Sequence, residues 1–445
     1  MRGESILKLE IGNFYVKDIV FGTETKFENG VLTVNKEEAL SLVKEDKHIT
    51  EADLHIVKPG DNVRLVPVKE AIEPRVKLDG KPLFPGVTGE LCQAGDGVTH
   101  ALKDCSVLVV GAHWGGFQDG LIDMFGEGAK YTYYSQLKNI VLVADTDEEF
   151  ERYEQQKKNK ALRWAGMRLA EYIGNAVKEL KPEETETYEL EPLTKRDLKD
   201  LPTVGIVLQP QSQMEELGYN DLLYGWDCNR IVPTFMNPNE ILDGAMISGS
   251  FMPCSSKWST YDFQNFPMIK RLYAEHGKTI NFVGVIMSNL NVALEQKERS
   301  AQFVAQMAKS LGIDACVVAE EGYGNPDTDF TAVLVALEDA GVKTIGLTNE
   351  CTGRDGASQS LVSMNEKSDA IVSCGNVSDL IKLGPAEVVL GELEALARDG
   401  LSGGWADDEI LGSSVKEDGS IIMENNAMFC GDQVVGWSTK TMKEF

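Results

Sequence analysis

Apolar and polar residues alternate through the first ninety positions. The stretches LKLEIGNFYVKDIVFG (7–22), GVLTV (30–34) and DLHIVKPGDNVRLVPV (53–68) are cut by Gly, Asn and Lys. This near period-two pattern belongs to strands with one covered face. A short helix is predicted over Lys36–Lys44, and LDGKPLFPGVTG (78–89) is turn-rich. From residue 104 the pattern changes. CSVLVVGAHWGG (105–116) reads as a buried strand running into a glycine-rich loop, and KNIVLVAD (138–145) as a second such strand. An amphipathic helical region, containing a break, is predicted over 148–180, followed by a polar, Glu-rich crossing segment over 181–204.

Continuous apolar runs recur between 203 and 375: VGIVLQ, RIVPTFM, NFVGVIMSN, ACVVAEE, KTIGLTNE and AIVSCG. Such runs are expected where both faces of a parallel sheet are covered. Helices are predicted at Glu240–Met246, Asn265–Glu275, Glu295–Leu311 and Asp329–Ala340, the last beginning after NPDTD, whose Asp and Thr suit a helix cap. One more helix is predicted around Glu392–Arg398. The expectation is a multidomain α/β protein: a β-rich N-terminal domain (1–90), an α/β domain with a glycine-rich loop and long helix (91–200), a main doubly wound domain (201–375) and a mixed C-terminal extension (376–445).

Charge narrows the partners. The 445 residues carry 70 acidic and 43 basic side chains, a net charge of -27. Such a surface repels nucleic acid and anionic membranes. No apolar window is long enough to span a bilayer, and the N-terminus lacks the apolar core of a signal peptide. Eight cysteines are scattered without metal-like spacing, so no metal site is expected and free thiols in a reducing cytoplasm are.

Open α/β sheets build sites where strands end. Three strand ends carry polar groups: SNLN (288–291), EEGYGNPDTD (320–329) and TNECTGRDG (348–356). If those strands are adjacent and parallel, Asn289, Glu320, Glu321, Glu350 and Arg354 converge. A carboxylate there serves as acid or base, and Arg354 clamps a substrate carboxylate. The same residues suit plainer roles. Asp327, Asp329 and Asp355 fit caps and turns, and Arg354 fits a salt bridge. Cys351 is a candidate reactive thiol, while Cys105, Cys316 and Cys374 lie in apolar strands as inert core. His113 and Trp114, in VVGAHWGGFQDG, are candidate pocket residues; the loop matches no nucleotide fingerprint. ISGSFMPCSSKWSTY (247–261) packs hydroxyls, a thiol and a lysine together. It reads either as a Ser-rich turn or as a loop whose Ser, Thr or Cys attacks the preceding carbonyl, eliminates and leaves a pyruvoyl group.

The chain resembles the proprotein subunit of component B of the glycine, sarcosine and betaine reductases. The resemblance rests on KPGDNVRLVPVKEAIEPRVK (58–77), FPGVTG (84–89), GFQDGLIDM (116–124), RIVPTFMNPNEILDGAMISG (230–249), NFVGVIMSNLNV (281–292), EEGYGNPDTD and GRDGASQSL (353–361). It implies an anaerobic reductase subunit that binds a small amino acid, N-methylated glycine or betaine-like compound. A large selenocysteine- or cysteine-containing partner attacks the substrate carbon, and a selenoprotein and an acyl-transferring component act downstream. An oligomer is expected.

The family's cleavage junction is an Asn-Cys pair that becomes pyruvoyl; here the matching pair is Ser250–Phe251. Phenylalanine has no leaving group. The implied chain is unprocessed and cofactor-free. The alternative is a junction moved three residues to Cys254, about 10 Å along an extended loop. Without a Schiff base, Trp258, Tyr261, Trp114 and Tyr323 are candidate aromatic faces for a quaternary ammonium, or equally ordinary core. Two other readings are a non-catalytic binding paralogue and a stand-alone lyase or hydrolase using Glu320, Glu321 or Glu350.

Overall fold

The computed structural model describes residues 7–111, 120–146, 155–198, 200–214, 220–249, 254–368, 370–393, 412–432 and 434–437. The protein is a multidomain α/β chain. Its first unit contains β1 (Lys8–Tyr15), α1 (Lys36–Val43), β2 (Ile49–Val57), β3 (Val63–Ile72), β4 (Arg75–Lys77), β5 (Gly97–Lys103), β6 (Cys105–Gly111), β7 (Gly120–Asp123), β8 (Lys138–Thr146), α2 (Gln155–Gly174) and β9 (Glu184–Glu189). Helix α1 is where the sequence placed it, capped by the Asn35 side chain.

Strands β9, β1, β5 and β4 form one sheet in that order, and β7, β3, β6, β8 and β2 another. The boundary expected at residue 90 is therefore crossed in both sheets: β1 pairs with β5, and β3 with β6. Period-two patterning finds strands but not their partners, so it cannot reveal that 1–90 and 91–200 interleave. Helix α2 covers β6 at close range. A Cβ at Gly166 would lie 2.3 Å from the Val109 side chain, and Leu162, Ala165, Leu169 and Ile173 join Val107 and Val109 in one core.

The second unit contains β10 (Thr203–Gln209), β11 (Thr234–Met236), α3 (Pro238–Leu242), α4 (Thr260–Asn265), α5 (Pro267–Glu275), β12 (Asn281–Met287), α6 (Leu294–Ser310), β13 (Ala315–Glu320), α7 (Asn325–Asp339), β14 (Lys343–Glu350) and β15 (Ile371–Asn376). Its sheet order is β11-β12-β10-β13-β14-β15. All pairings are parallel except the short edge strand β11. Alternate residues of the central strand face opposite cores. Ile206 and Leu208 pack with Phe263, Phe266 and Ile269, whereas Val207 packs with Val304, Phe330 and Leu334. This two-sided burial produces the unbroken apolar runs.

Helix α7 starts earlier than predicted. Gly324, at a φ of 84°, is its cap, and NPDTD forms its first turn. Asp327 acts from inside the helix, accepting from the Gly324 backbone N–H at 2.9 Å.

The C-terminal region adds β16 (Leu380–Leu383), β17 (Val388–Gly391) and β18 (Ile421–Glu424). Strands β16 and β18 pair with each other. Strand β17 returns to the first unit and pairs parallel with β3. The helix expected around Glu392–Arg398 falls almost wholly outside the described residues. Among the described residues, no helix is long and apolar enough to cross a membrane.

Candidate functional site

Taken in chain order, the five parallel strands lie 2-1-3-4-5 across the second sheet. The order reverses between β10 and β13, and crevices open beyond the carboxyl ends of strands at such a point. Here Gln209 ends β10 and Gln211 lies just beyond it, Glu320 ends β13 and Glu321 follows it, and Asn349 is the penultimate residue of β14. Residues 254–258 lie across these ends. The Trp258 backbone N–H donates to Glu321 Oε1 at 2.8 Å, the Gln211 N–H to Glu321 Oε2 at 2.9 Å, and Asn349 Nδ2 to Ser256 Oγ at 2.6 Å. The second half of the 247–261 loop and the strand-end carboxylates thus share one site.

Two buried carboxyl pairs stand at the end of β13. Glu321 faces Asp221, and Glu320 faces Asp327. Burial, and then the neighbouring carboxylate, push Glu320 and Glu321 well above the usual range; burial also raises Asp221 and Asp327 to about 6. Asp221 Oδ2 and Glu320 Oε2 are buried with no conventional hydrogen-bond partner among the described residues. One shared proton in each pair accounts for both atoms, because a protonated carboxyl can donate to its neighbour. The remaining oxygens are held: Thr348 Oγ1 donates to Glu320 Oε1 at 2.5 Å, and the Gly249 N–H donates to Asp221 Oδ1.

Around these pairs, both side-chain atoms of Gln209, with Gln211 Oε1, Ser255 Oγ, Ser288 Oγ and Asn349 Oδ1, are also buried and unpartnered among the described residues. Buried polar atoms are rarely left so. Their concentration at one end of one sheet marks a place for ordered water or a small polar ligand.

The thiols lie alongside. Cys254 donates its S–H to the Asn426 carbonyl at 2.9 Å. Burial raises Tyr323, on which the nearby Cys351, Cys254 and Glu424 also act. Burial likewise pushes the Cys351 thiol up. Arg354 Nε donates to Glu424 Oε1 at 2.7 Å. The structure therefore brings together Glu320, Glu321, Cys254, Tyr323, Cys351 and Arg354, with Arg354 engaged in the salt bridge that was its plainer reading.

Other candidates lie elsewhere. Trp258 is fully buried, edge-on to Phe263 and Phe266, and Tyr261 packs among Tyr133, Tyr134 and Trp437. Both are core aromatics packed by other described residues. Asn289 is tied to Asn291 and Ser300 beside α6. The Glu350 side chain makes no hydrogen bond among the described residues. His113 and Trp114 lie outside the described residues.

Several participants came from far along the chain and were not singled out. Glu70 accepts from Thr260 N at 3.0 Å and Oγ1 at 3.2 Å, and burial raises it. Lys257 Nζ donates to the Lys69 carbonyl at 2.9 Å and the Gly249 carbonyl at 3.3 Å. Arg163 Nη1 donates to the Gly249 carbonyl, and to that of Ser248 at 3.0 Å. The lysine in SSKWSTY was the only local signal.

Residues 7–443 match the family model described as glycine/sarcosine/betaine reductase component B subunits. The chain is 76% identical over 442 residues to betaine reductase complex component B subunit alpha of Peptoclostridium acidaminophilum, covering 99% of this chain and 100% of that protein. It is 41% identical to glycine reductase complex component B subunits alpha and beta of the same organism, again covering 99% and 100%. It is 38% identical to the organism's sarcosine reductase complex component B subunit alpha, covering 98% and 100%. No solved structure matches the chain.

Proposed function

The chain belongs to the family of glycine, sarcosine and betaine reductase component B subunits, and from that membership we propose that it is an unprocessed substrate-binding subunit whose substrate is a betaine-like N-methylated glycine. The observation that carries this reading is the strand-end crevice itself. It offers unpartnered buried polar atoms for a small zwitterion and, among the described residues, no thiol poised as a thiolate. The Cys254 S–H donates to the Asn426 carbonyl, and burial disfavours the Cys351 thiolate.

The nucleophile is then a selenolate or thiolate brought by a large partner subunit. It forms the new bond to the substrate methylene carbon. The carbon–nitrogen bond breaks, and its electron pair leaves with the amine. A quaternary ammonium departs as a neutral tertiary amine and has no N–H with which to form a Schiff base, so the step needs no pyruvoyl carbonyl. Phe251 at the junction position fits that chemistry. The name of the 76% relative gives a single subunit alpha, whereas the name of the glycine relative gives subunits alpha and beta. Selenoprotein and acyl-transferring components would follow in a cytoplasmic, oligomeric complex.

Denaturing intact-mass measurement with and without a carbonyl-trapping hydrazine tests this. We expect one species of 48.9 kDa without adduct, inactive alone and active toward glycine betaine with the partner subunit. Two fragments joining at Cys254, the second carrying a hydrazone, would refute it and restore a pyruvoyl mechanism.

A further inference from the structure

A cavity of about 660 Å³ lies between α2 and the hairpin Leu222–Asp227, with Ile247 and Asn220 also in its wall. Its volume is in the ordinary range for small-molecule sites. Its lining inverts the character of the protein. In a chain with 70 acidic side chains, Lys160, Arg163 and Arg230 meet at this cavity with one carboxylate, Asp227. None of the three cations forms an ion pair within 4.0 Å among the described residues. Asp227 is turned to its own neighbours, accepting from Asn220 Nδ2 and from the Asn229 N–H, each at 2.9 Å.

Arg163 is the most telling of the three. It is only 5% exposed. Its Nε and Nη1 donate to backbone carbonyls of Asn159, Ser248 and Gly249, while Nη2 bonds to none of the described residues. The buried Glu70 and Asp221 carboxylates act on it electrostatically but make no ion pair with it within 4.0 Å, so its outer nitrogen is left for a ligand. Arg230, by contrast, is exposed at the rim.

Two indoles complete the wall, Trp164 and Trp226. The Lys160 ammonium already sits 4.1 Å from the Trp164 ring centroid, so this surface receives cations on its π face. Trp226 is 65% exposed, yet its backbone is fixed. The hairpin turns through Tyr224 and Gly225, with φ values of 52° and 77°, the two-residue turn that suits strand twist. A Cβ on Gly225 would stand 2.2 Å from the Gly86 carbonyl oxygen, so the turn is packed against the preceding unit.

We infer that this cavity is a second binding site, separate from the strand-end crevice, for a small organic carboxylate with a compact methyl-covered head. The carboxylate lies against Arg163 and Arg230, where a planar fork and a net positive wall favour it. The head lies against the Trp226 and Trp164 faces. Occupancy reaches the crevice through Gly249, whose carbonyl is held by Arg163 and whose N–H is held by Asp221.

Calorimetric titration of the full chain tests this with three probes: glycine betaine, its uncharged-head isostere 3,3-dimethylbutanoate, and choline, which lacks the carboxylate. Binding by both carboxylates, at least tenfold weaker binding of choline, and at least tenfold weakening in the rim variants Trp226→Ala and Arg230→Gln are expected. These variants touch no buried contact, and unchanged circular dichroism checks their folding. Unchanged carboxylate affinity in both rim variants overturns the site. If Arg354→Gln then abolishes that binding, the crevice holds the ligand and the proposed function stands without the cavity. No heat with either carboxylate overturns the site as well.

Discussion

Replacing Asp221 by Asn isolates the shared proton beneath the crevice. The amide keeps an oxygen for the Gly249 N–H and places an N–H where the proton lay, which removes the neighbouring carboxylate's push on Glu321 and leaves that of burial. In the wild type, burial raises Asp221 from 3.8 to about 6. A carboxyl whose folded pKa is raised contributes stability that is complete below its unfolded pKa and is lost as pH rises through the folded one. The displacement of about two pH units corresponds to about 3 kcal/mol. The wild type should therefore lose about 3 kcal/mol relative to Asp221→Asn between pH 4 and pH 7. Urea unfolding of both proteins across that range, followed by tryptophan emission, measures the difference. Hydrogen exchange at the Gly249, Gln211 and Trp258 amides localises it. A gap between the two proteins that stays constant with pH would mean that Asp221 and Glu321 share no proton, and the account of the crevice floor would fail.

Two other outcomes follow from buried polar contacts. Arg64→Met strands Asp123, which now receives two bonds from Arg64 at 2.7 and 2.8 Å; a loss of about 3–5 kcal/mol is expected, smaller in acid where Asp123 protonates, and thermal melts at pH 5 and pH 8 compare them. In native protein, iodoacetamide should label Cys351 slowly at pH 7 and faster at pH 9, because burial raises its thiol, while Cys254, 1% exposed, stays unlabelled until urea is added; rapid native labelling of Cys254 would contradict its bond to Asn426.

Much of the second unit could be read from the chain because its signals are local. An unbroken apolar run specifies a strand covered on both faces, and ACVVAEE and KTIGLTNE carried Glu320, Glu321 and the Cys351 loop to one end of adjacent parallel strands. What could not be read depends on distant partners. Trp258 and Tyr261 look alike as cage or core until Phe263, Phe266 and Tyr133 are placed beside them. Asp221 and Arg163 give no sign in their own neighbourhoods, since each acquires its role from Gly249, brought up from another part of the chain. Asn289 sits at a strand end as expected, but its amide is taken by Asn291, a local contact that outcompetes the crevice.

The return of β17 to pair with β3 bears on what a backbone break between residues 249 and 254 would do. A fragment ending at 249 would contribute β3, β10 and β11; a fragment beginning at 254 would contribute β12 to β15 and β17. Each would supply strands to a sheet owned mainly by the other, with β10 lying between β12 and β13. The two pieces would migrate, bind and melt as a single body, as a complementing pair rather than as separable domains. Whether such a protein is made as one polypeptide or two would thus leave little trace in the pairing of its strands.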